Sequence, residues 1–360
     1  MGTRSRWGFS FLLVTVFVID HPQCATRSPD HLQSAVAYLE VERYDRALQE
    51  VRRARREKGR STVGDLIAAL AHTGLGQPDA AVSTLVKGLR AEPANTRLHG
   101  ALREICARHE NYTVALDQLA PVLESQDPPH PILLTTVGWL HAAAGEYQKA
   151  LGPLQDAAAT SNGDMLATTE LSRTLEKLER PQEAVEILDA ALQKAPNHPE
   201  LLLAAGLFHL RRADPETATG FFDSLITVSS DPSQAAARLA GACYEAGSHD
   251  FAVRYYERAI ELGATEAYVY NNLAWSYAAT GRNLDRALSL ALRAVKKSPD
   301  NPGYLDTYAE VCFGLGQVHR AVALMRRALE LEPVDGTQRE YLIEQMQRFQ
   351  QALEAESPPS

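Results

Sequence analysis

The stretch "HDFAVRYYERA" (residues 249–259) recurs in outline as "YDRALQEVRRA" (44–54), "YQKALGPLQDA" (147–157) and "PQEAVEILDAA" (181–191). Each copy carries an alanine at its fourth position and an apolar residue four positions later. Extending the alignment along the chain gives nine small anchor residues at intervals of 34 or 35 residues: Ala47, Ala81, Ala115, Ala150, Ala184, Ala218, Ala252, Ala287 and Ala321. A near-constant spacing of this length indicates an array of structural repeats.

Each unit predicts a pair of helices that cross at the anchor. A side chain larger than a methyl group would force the two backbones apart at the crossing, so the anchor has to be small. Glycine just past the end of the first helix adopts the left-handed cap conformation at low steric cost, and five units place one there: Gly76, Gly145, Gly247, Gly281 and Gly316. Proline suits the first helical residue, which needs no amide hydrogen, and units begin with Pro131, Pro199, Pro232 and Pro302.

These units resemble the tetratricopeptide repeat, which has about 34 residues, and the resemblance covers residues 28–335. It is clearest over residues 270–333, which begin "YNNLAWSYAATG" and look like the arrays of exported bacterial repeat proteins. The resemblance implies an all-α fold, a right-handed superhelical solenoid of about nine helix-turn-helix repeats, with a capping helix over residues 336–356 and a disordered tail over 357–360. The third repeat departs most, since Arg103 and Val122 replace small residues, and its packing is expected to differ.

The three cysteines beyond the N-terminal region share one aligned position, nine residues before the anchor, which we call the slot. Along the array the slot holds Tyr38, His72, Cys106, His141, Leu175, His209, Cys243, Tyr277 and Cys312. Packed helices lie about 8–10 Å apart, whereas zinc ligands lie about 2 Å from the ion and the α-carbons of a disulfide within about 7 Å. The slot therefore predicts mostly buried packing side chains, among which cysteine acts as a small hydrophobe. His319, which follows Cys312 by seven residues, is expected to face solvent.

Composition and charge restrict the function. Hydrophobic residues make up 45% of the chain and charged residues 22%, which is typical of a folded protein. The net charge of −9 disfavours nucleic acid as a main partner, because phosphate binding needs a basic face. The run "VRRARREKGR" (51–60) is a local exception that we interpret as a solvated helix face. The catalytic motifs of phosphate-loop, serine-hydrolase and zinc-protease enzymes are missing, so we expect no enzyme, no cofactor and no metal.

The N-terminus has the features of an export signal. Arg4 and Arg6 precede the apolar run "FSFLLVTVFVI" (9–19), and small and polar residues follow it. We expect residues 1–26 to be a cleaved signal peptide, because the run is shorter than the roughly 20 residues of a membrane span. The expected location is therefore periplasmic or secreted. An uncleaved segment that associates with the membrane is the alternative.

The resemblance also implies where a partner would bind. In arrays of this family the first helices of the repeats line a concave groove that accepts an extended peptide or a helix. The corresponding residues here are Leu66, Leu70, Thr135, Trp139, Leu203, Leu207, Arg211, Tyr244, Tyr268, Asn271, Trp275, Glu310 and Phe313. For Trp139 and Trp275, binding of a partner and packing on the adjacent repeat are equally weighted interpretations.

These features predict an exported, non-enzymatic scaffold or adaptor whose partner is a protein or peptide. The lysine and asparagine set that family members use to clamp a chaperone's C-terminal carboxylate is absent, apart from Asn272. Two alternatives remain open at this point. One is a membrane-tethered assembly factor for an envelope or secretion complex, and the other is an accessory subunit of an enzyme that acts on glycans.

Overall fold

The computed structural model of the chain describes residues 30–160, 165–333, 336 and 338–356. The predicted signal peptide and the last four residues lie outside these ranges. The described residues divide into two compact units, with the boundary between Pro196 and Asn197.

The unit before the boundary contains ten helices within its described residues: α1 (His31–Glu40), α2 (Tyr44–Lys58), α3 (Thr62–Gly74), α4 (Pro78–Ala91), α5 (Thr96–His109), α6 (Tyr112–Glu124), α7 (Pro131–Ala143), α8 (Tyr147–Ala158), α9 (Met165–Lys177) and α10 (Pro181–Lys194). The unit after it contains, within the part described, α11 (Pro199–Arg211), α12 (Pro215–Val228), α13 (Pro232–Glu245), α14 (His249–Glu261), α15 (Ala267–Thr280), α16 (Leu284–Lys297), α17 (Pro302–Gly314), α18 (Val318–Leu331) and α19 (Arg339–Glu356).

Consecutive helices pack as pairs, α1 with α2 through α17 with α18, and α19 packs on α18. The described residues form helices, turns and loops without a strand, so the predicted all-α solenoid class is confirmed. In the same residues, no helix combines the length and apolar character that crossing a membrane requires.

Each anchor alanine is the fourth residue of the second helix of its pair. All nine of them are 0% exposed to solvent. A methyl group added to Gly138 on the first helix α7 would lie 3.3 Å from the backbone oxygen of Ala150. The complete burial of the anchors fits the prediction that these positions must be small, and the distance at Gly138 shows a close approach of two backbones in the pair of α7 and α8.

The predicted prolines begin first helices. Pro131, Pro199, Pro232 and Pro302 stand in the first helical turn, as predicted.

The turns between the two helices of a pair share one geometry, with the third pair as the exception. In eight of the nine pairs, the amide of the residue five positions after the slot donates to the slot carbonyl, as in Gln317 to Cys312 at 2.9 Å. This hydrogen bond needs a left-handed residue just before the donor. The five predicted glycines have positive φ angles there. The sequence did not indicate that Glu42, Glu110, Glu179 and Ala213 adopt the same conformation in the other units.

The third pair departs from the pattern, as expected. Helix α6 packs more closely against α4 and α7 than against its own partner α5. Arg103 stands in α5 where other first helices have Ala, Gly or Ser, and its bulk keeps α6 away. The turn also differs, because Glu110 rather than Asn111 donates to the carbonyl of Cys106, at 2.9 Å.

Candidate functional site

The slot cysteines are packing residues. Cys106, Cys243 and Cys312 are free thiols with 0% exposure, which confirms the prediction from the repeat alignment. Burial raises the pKa of Cys106 and of Cys243 to about 12, so neither thiol is a nucleophile near neutral pH. His319 is exposed, as predicted. Within the described ranges, no group of three His, Cys, Asp or Glu side chains could hold a metal ion.

The slot histidines have a role that the sequence analysis missed. Each ring is half-buried and its Nδ1 hydrogen-bonds a side chain five residues later in the turn. His72 bonds Gln77 at 3.0 Å, His141 bonds Glu146 at 2.7 Å and His209 bonds Asp214 at 3.1 Å. The repeated spacing of histidine and an acid or amide was the signal that could have revealed it.

In the unit that ends at Pro196, the predicted groove residues differ in exposure. Leu66 is 7% exposed and Thr135 is 0% exposed, so neither offers a surface to a partner. Leu70 and Trp139 are half-buried. The Trp139 ring packs edge-on against Tyr112 of the preceding pair, with 6.1 Å between the ring centres. Trp139 therefore packs on a neighbour and keeps part of its ring exposed.

In the unit that begins at Asn197, five of the predicted groove residues on α11, α13 and α15 are large and half-buried. We call this surface the aromatic face; it consists of Leu203, Leu207, Tyr244, Tyr268 and Trp275. The Nε1–H of Trp275 on α15 donates a hydrogen bond to the Tyr244 hydroxyl on α13, which fixes both rings. The position aligned with Leu207 and Trp275 holds Gly241 on α13, and a methyl group added there would lie 3.5 Å from the Tyr256 hydroxyl.

The surroundings of the aromatic face are polar. Arg211 is exposed at the C-terminal end of α11. Burial raises the pKa of Tyr268, so its hydroxyl stays protonated and can donate a hydrogen bond at neutral pH. Asn271 is only 2% exposed, and its amide bonds Asn272 at 3.3 Å. Asn271 is thus a buried side chain of α15 and does not contribute to the accessible surface.

The last two predicted groove residues contact the terminal helix α19. Glu310 accepts a hydrogen bond from the guanidinium of Arg348. The Phe313 ring packs on Phe349, with 4.7 Å between centres, and the Arg348 guanidinium lies 5.0 Å from the Phe313 centre. Phe349 is 0% exposed, so α19 is firmly docked. A partner would meet Glu310 and Phe313 only beside this helix.

A second charged cluster ties the first two helix pairs together. Asp65 on α3 is 1% exposed. Its carboxylate forms ion pairs with the guanidinium groups of Arg55 at 2.6 Å and Arg60 at 2.7 Å. Arg60 also donates to the Thr84 carbonyl on α4 at 3.0 Å. Removing one member of a buried ion pair leaves an uncompensated charge, so this cluster holds the pairs together and is not available to a ligand.

Comparison with known proteins places the repeats in one family. One tetratricopeptide-repeat family model matches residues 141–207, and another matches residues 107–164 and 238–302. Tetratricopeptide repeat protein 8 of Caenorhabditis elegans is 24% identical over 186 residues, which are 50% of this chain and 35% of that protein. The match thus spans about a third of that relative's length.

Solved structures of repeat proteins are also similar. A tetratricopeptide repeat protein from Parabacteroides merdae is 17% identical, over 68% of this chain and 94% of that one, with a TM-score of 0.43. YrrB, described as a TPR protein with an unusual peptide-binding site, is 15% identical over 54% of this chain and 97% of its own, with a TM-score of 0.36. The Cut9–Hcn1 complex of the APC/C is 11% identical over 89% of this chain and 75% of that one, with a TM-score of 0.42.

Proposed function

The chain is a tetratricopeptide-repeat protein, and from that premise we propose that it is an exported, non-enzymatic scaffold that binds a partner peptide or helix on the aromatic face. The family consists typically of interaction scaffolds without catalytic activity. What we propose beyond this family property is that the aromatic face is the surface that binds the partner.

The half-buried state of the aromatic face is the observation that carries this proposal. Residues that serve only the core are buried, as the anchors are, and residues that serve only solubility are polar and exposed. Leu207, Tyr244 and Trp275 are large and apolar, yet each retains exposed area. Tyrosine and tryptophan held rigidly in this state are the residue types that dominate binding energy at protein interfaces.

The spacing of these side chains suits a linear partner. Leu203 and Leu207 are four residues apart and so share one face of α11. The hydrogen bond between Trp275 and Tyr244 shows that α13 and α15 meet across the same surface.

The proposal is tested with the full chain and three single variants: Trp275→Ala, Trp139→Ala and Phe221→Ala. Phe221 is the matched control, because it is also a half-buried aromatic residue but belongs to the second helix α12, where it stacks on His209 at 5.6 Å. Proteins captured from native extract are identified, and the affinity of each purified partner is then measured. We expect Trp275→Ala to weaken the partner's Kd at least tenfold, the size of an interface hot spot.

The controls separate the alternatives. Phe221→Ala should leave the affinity unchanged, and circular dichroism should show equal helix content for all four proteins. If Trp139→Ala rather than Trp275→Ala weakened the affinity for the partner, the partner would bind to the unit that ends at Pro196. Equal affinity for all variants would refute binding on the first helices.

A further inference from the structure

A basic stripe crosses the solvent side of α2 in the first helix pair. Its members are Arg46, Arg52, Arg53 and Arg56, all exposed. Arg46 and Arg53 are seven residues apart and Arg53 and Arg56 are three apart, so these three lie along one side of the helix, with Arg52 next to them. The opposite side, with Ala47, is buried.

Most of this charge has no acidic partner. Among the residues that the structure describes, only Arg53 of the stripe forms an ion pair, with Glu50 at 2.7 Å. Arg46 bonds the neutral Gln49 at 3.3 Å, and Arg56 bonds the carbonyl of Arg52 at 3.4 Å. These bonds orient the guanidinium groups without neutralising them.

Exposed arginines elsewhere in the chain are often paired. Arg282 pairs with Asp250 at 2.8 Å, and Arg327 pairs with Asp300 at 3.2 Å. On α2 itself, the nearby carboxylate of Glu57 is already engaged by His31 at 3.1 Å. Asp45 and Glu57 are also exposed on α2, so the stripe is a net cationic surface that these carboxylates offset only in part, in a chain whose net charge is −9.

We propose that this stripe binds an anionic phospholipid surface and seats the first repeat against a membrane. Each Lys or Arg near an anionic bilayer contributes a favourable interaction of about 1 kcal/mol. A membrane approached by one end of the chain meets only this local charge, whereas an extended polyanion such as nucleic acid would also meet the acidic remainder. The inference goes beyond the proposed scaffold function, because it concerns a different helix and a non-protein ligand.

The position of the stripe in the sequence favours lipid over an acidic protein. The apolar run 9–19 precedes it, and only the eleven residues 20–30 separate that run from α1. Eleven residues span at most about 40 Å. In the alternative to the cleaved signal peptide, in which the chain retains the run, the stripe therefore stays close to the membrane that the run enters. Stable attachment needs two such signals, and an apolar segment plus a basic patch is one of the known combinations.

The test measures partition of the full chain onto vesicles of phosphatidylcholine alone and of phosphatidylcholine with phosphatidylglycerol. The readout is the ratio of the two partition coefficients, because the apolar run contributes to both while the stripe contributes only to the anionic vesicles. The test variant is Arg46→Gln with Arg52→Gln and Arg56→Gln. The matched control removes three exposed cations elsewhere, Arg90→Gln, Lys194→Gln and Arg326→Gln.

We expect the wild type and the control to prefer anionic vesicles, and the stripe variant to lose ten- to hundredfold of that preference, three residues at roughly fivefold each. The preference should shrink as salt is raised from 0.05 to 0.3 M. A stripe variant that keeps the wild-type ratio overturns the proposal, as does a wild type without preference. Stripe-dependent retention on immobilised polyglutamate, with no lipid preference, would overturn it in favour of an acidic protein partner.

Discussion

Replacing Gly206 by alanine tests how closely two helices approach within a repeat. Gly206 lies in α11, directly opposite Phe222 of α12. A methyl group added to Gly206 would lie 2.2 Å from one ring carbon of Phe222 and 2.5 Å from another. Carbon atoms prefer a separation of about 3.5–4.0 Å, so the ring would have to move by more than 1 Å.

The Phe222 ring has nowhere to move without disturbing its neighbours. It is 0% exposed and packs edge-on against Tyr255 at 5.5 Å and Phe251 at 6.2 Å. Overpacking of this kind costs about 1–3 kcal/mol, and the higher helix propensity of alanine offsets about 1 kcal/mol of it. The net expectation for Gly206→Ala is a free energy of unfolding lowered by about 0–2 kcal/mol, in contrast to a gain where the added methyl group meets no neighbour.

Gly220→Ala is the matched control. Gly220 lies in α12 and is exposed, and a methyl group there would meet nothing within 4 Å. The same substitution should therefore raise the free energy of unfolding by about 0.5–1 kcal/mol. Urea denaturation followed by circular dichroism measures both changes, and hydrogen exchange of α11 and α12 shows whether the effect is local. Equal stabilisation by the two substitutions would refute the packing argument. Adding Phe222→Leu to Gly206→Ala should recover part of the loss, because it removes the clashing ring.

Two further predictions concern the anchors and the first helix. Ala252→Leu at the 0% exposed anchor of α14 should lower the free energy of unfolding by about 1–3 kcal/mol through overpacking; a variant that melts with the wild type would contradict the anchor assignment. Hydrogen bonds to Glu50 and then to Glu57, opposed by partial burial, raise the pKa of His31 above its usual value. The stability that His31 contributes is therefore full below the unfolded pKa of about 6.5 and is lost as pH rises through the folded pKa. We expect the denaturation midpoint of the wild type to exceed that of His31→Gln more at pH 5.5 than at pH 8.5, and an unchanged difference would contradict the ion-pair role.

The candidate site could be predicted only in part. The sequence correctly placed Leu207 and Trp275 on first helices, where both keep exposed area. It did not indicate that Asn271 and Thr135, at equivalent places in their repeats, are almost completely buried. Exposure on a first helix depends on the size and direction of side chains from the adjacent pairs, and one repeat alone does not contain that information.

The sequence by itself determined the helix pairs, the first residues of several first helices and the role of the cysteines. These follow from distances within one repeat: a crossing that admits only a methyl group fixes the anchors, such as Ala252, and a first helical turn that needs no amide hydrogen fixes prolines such as Pro302. Tertiary structure alone decided what depends on contacts between repeats. It joined Trp275 to Tyr244, placed Arg348 over Phe313, and left every stripe arginine except Arg53 without an acidic partner among the described residues. Such contacts form between side chains about 30 residues or more apart in the chain, and their energies depend on positions that only the packed array sets.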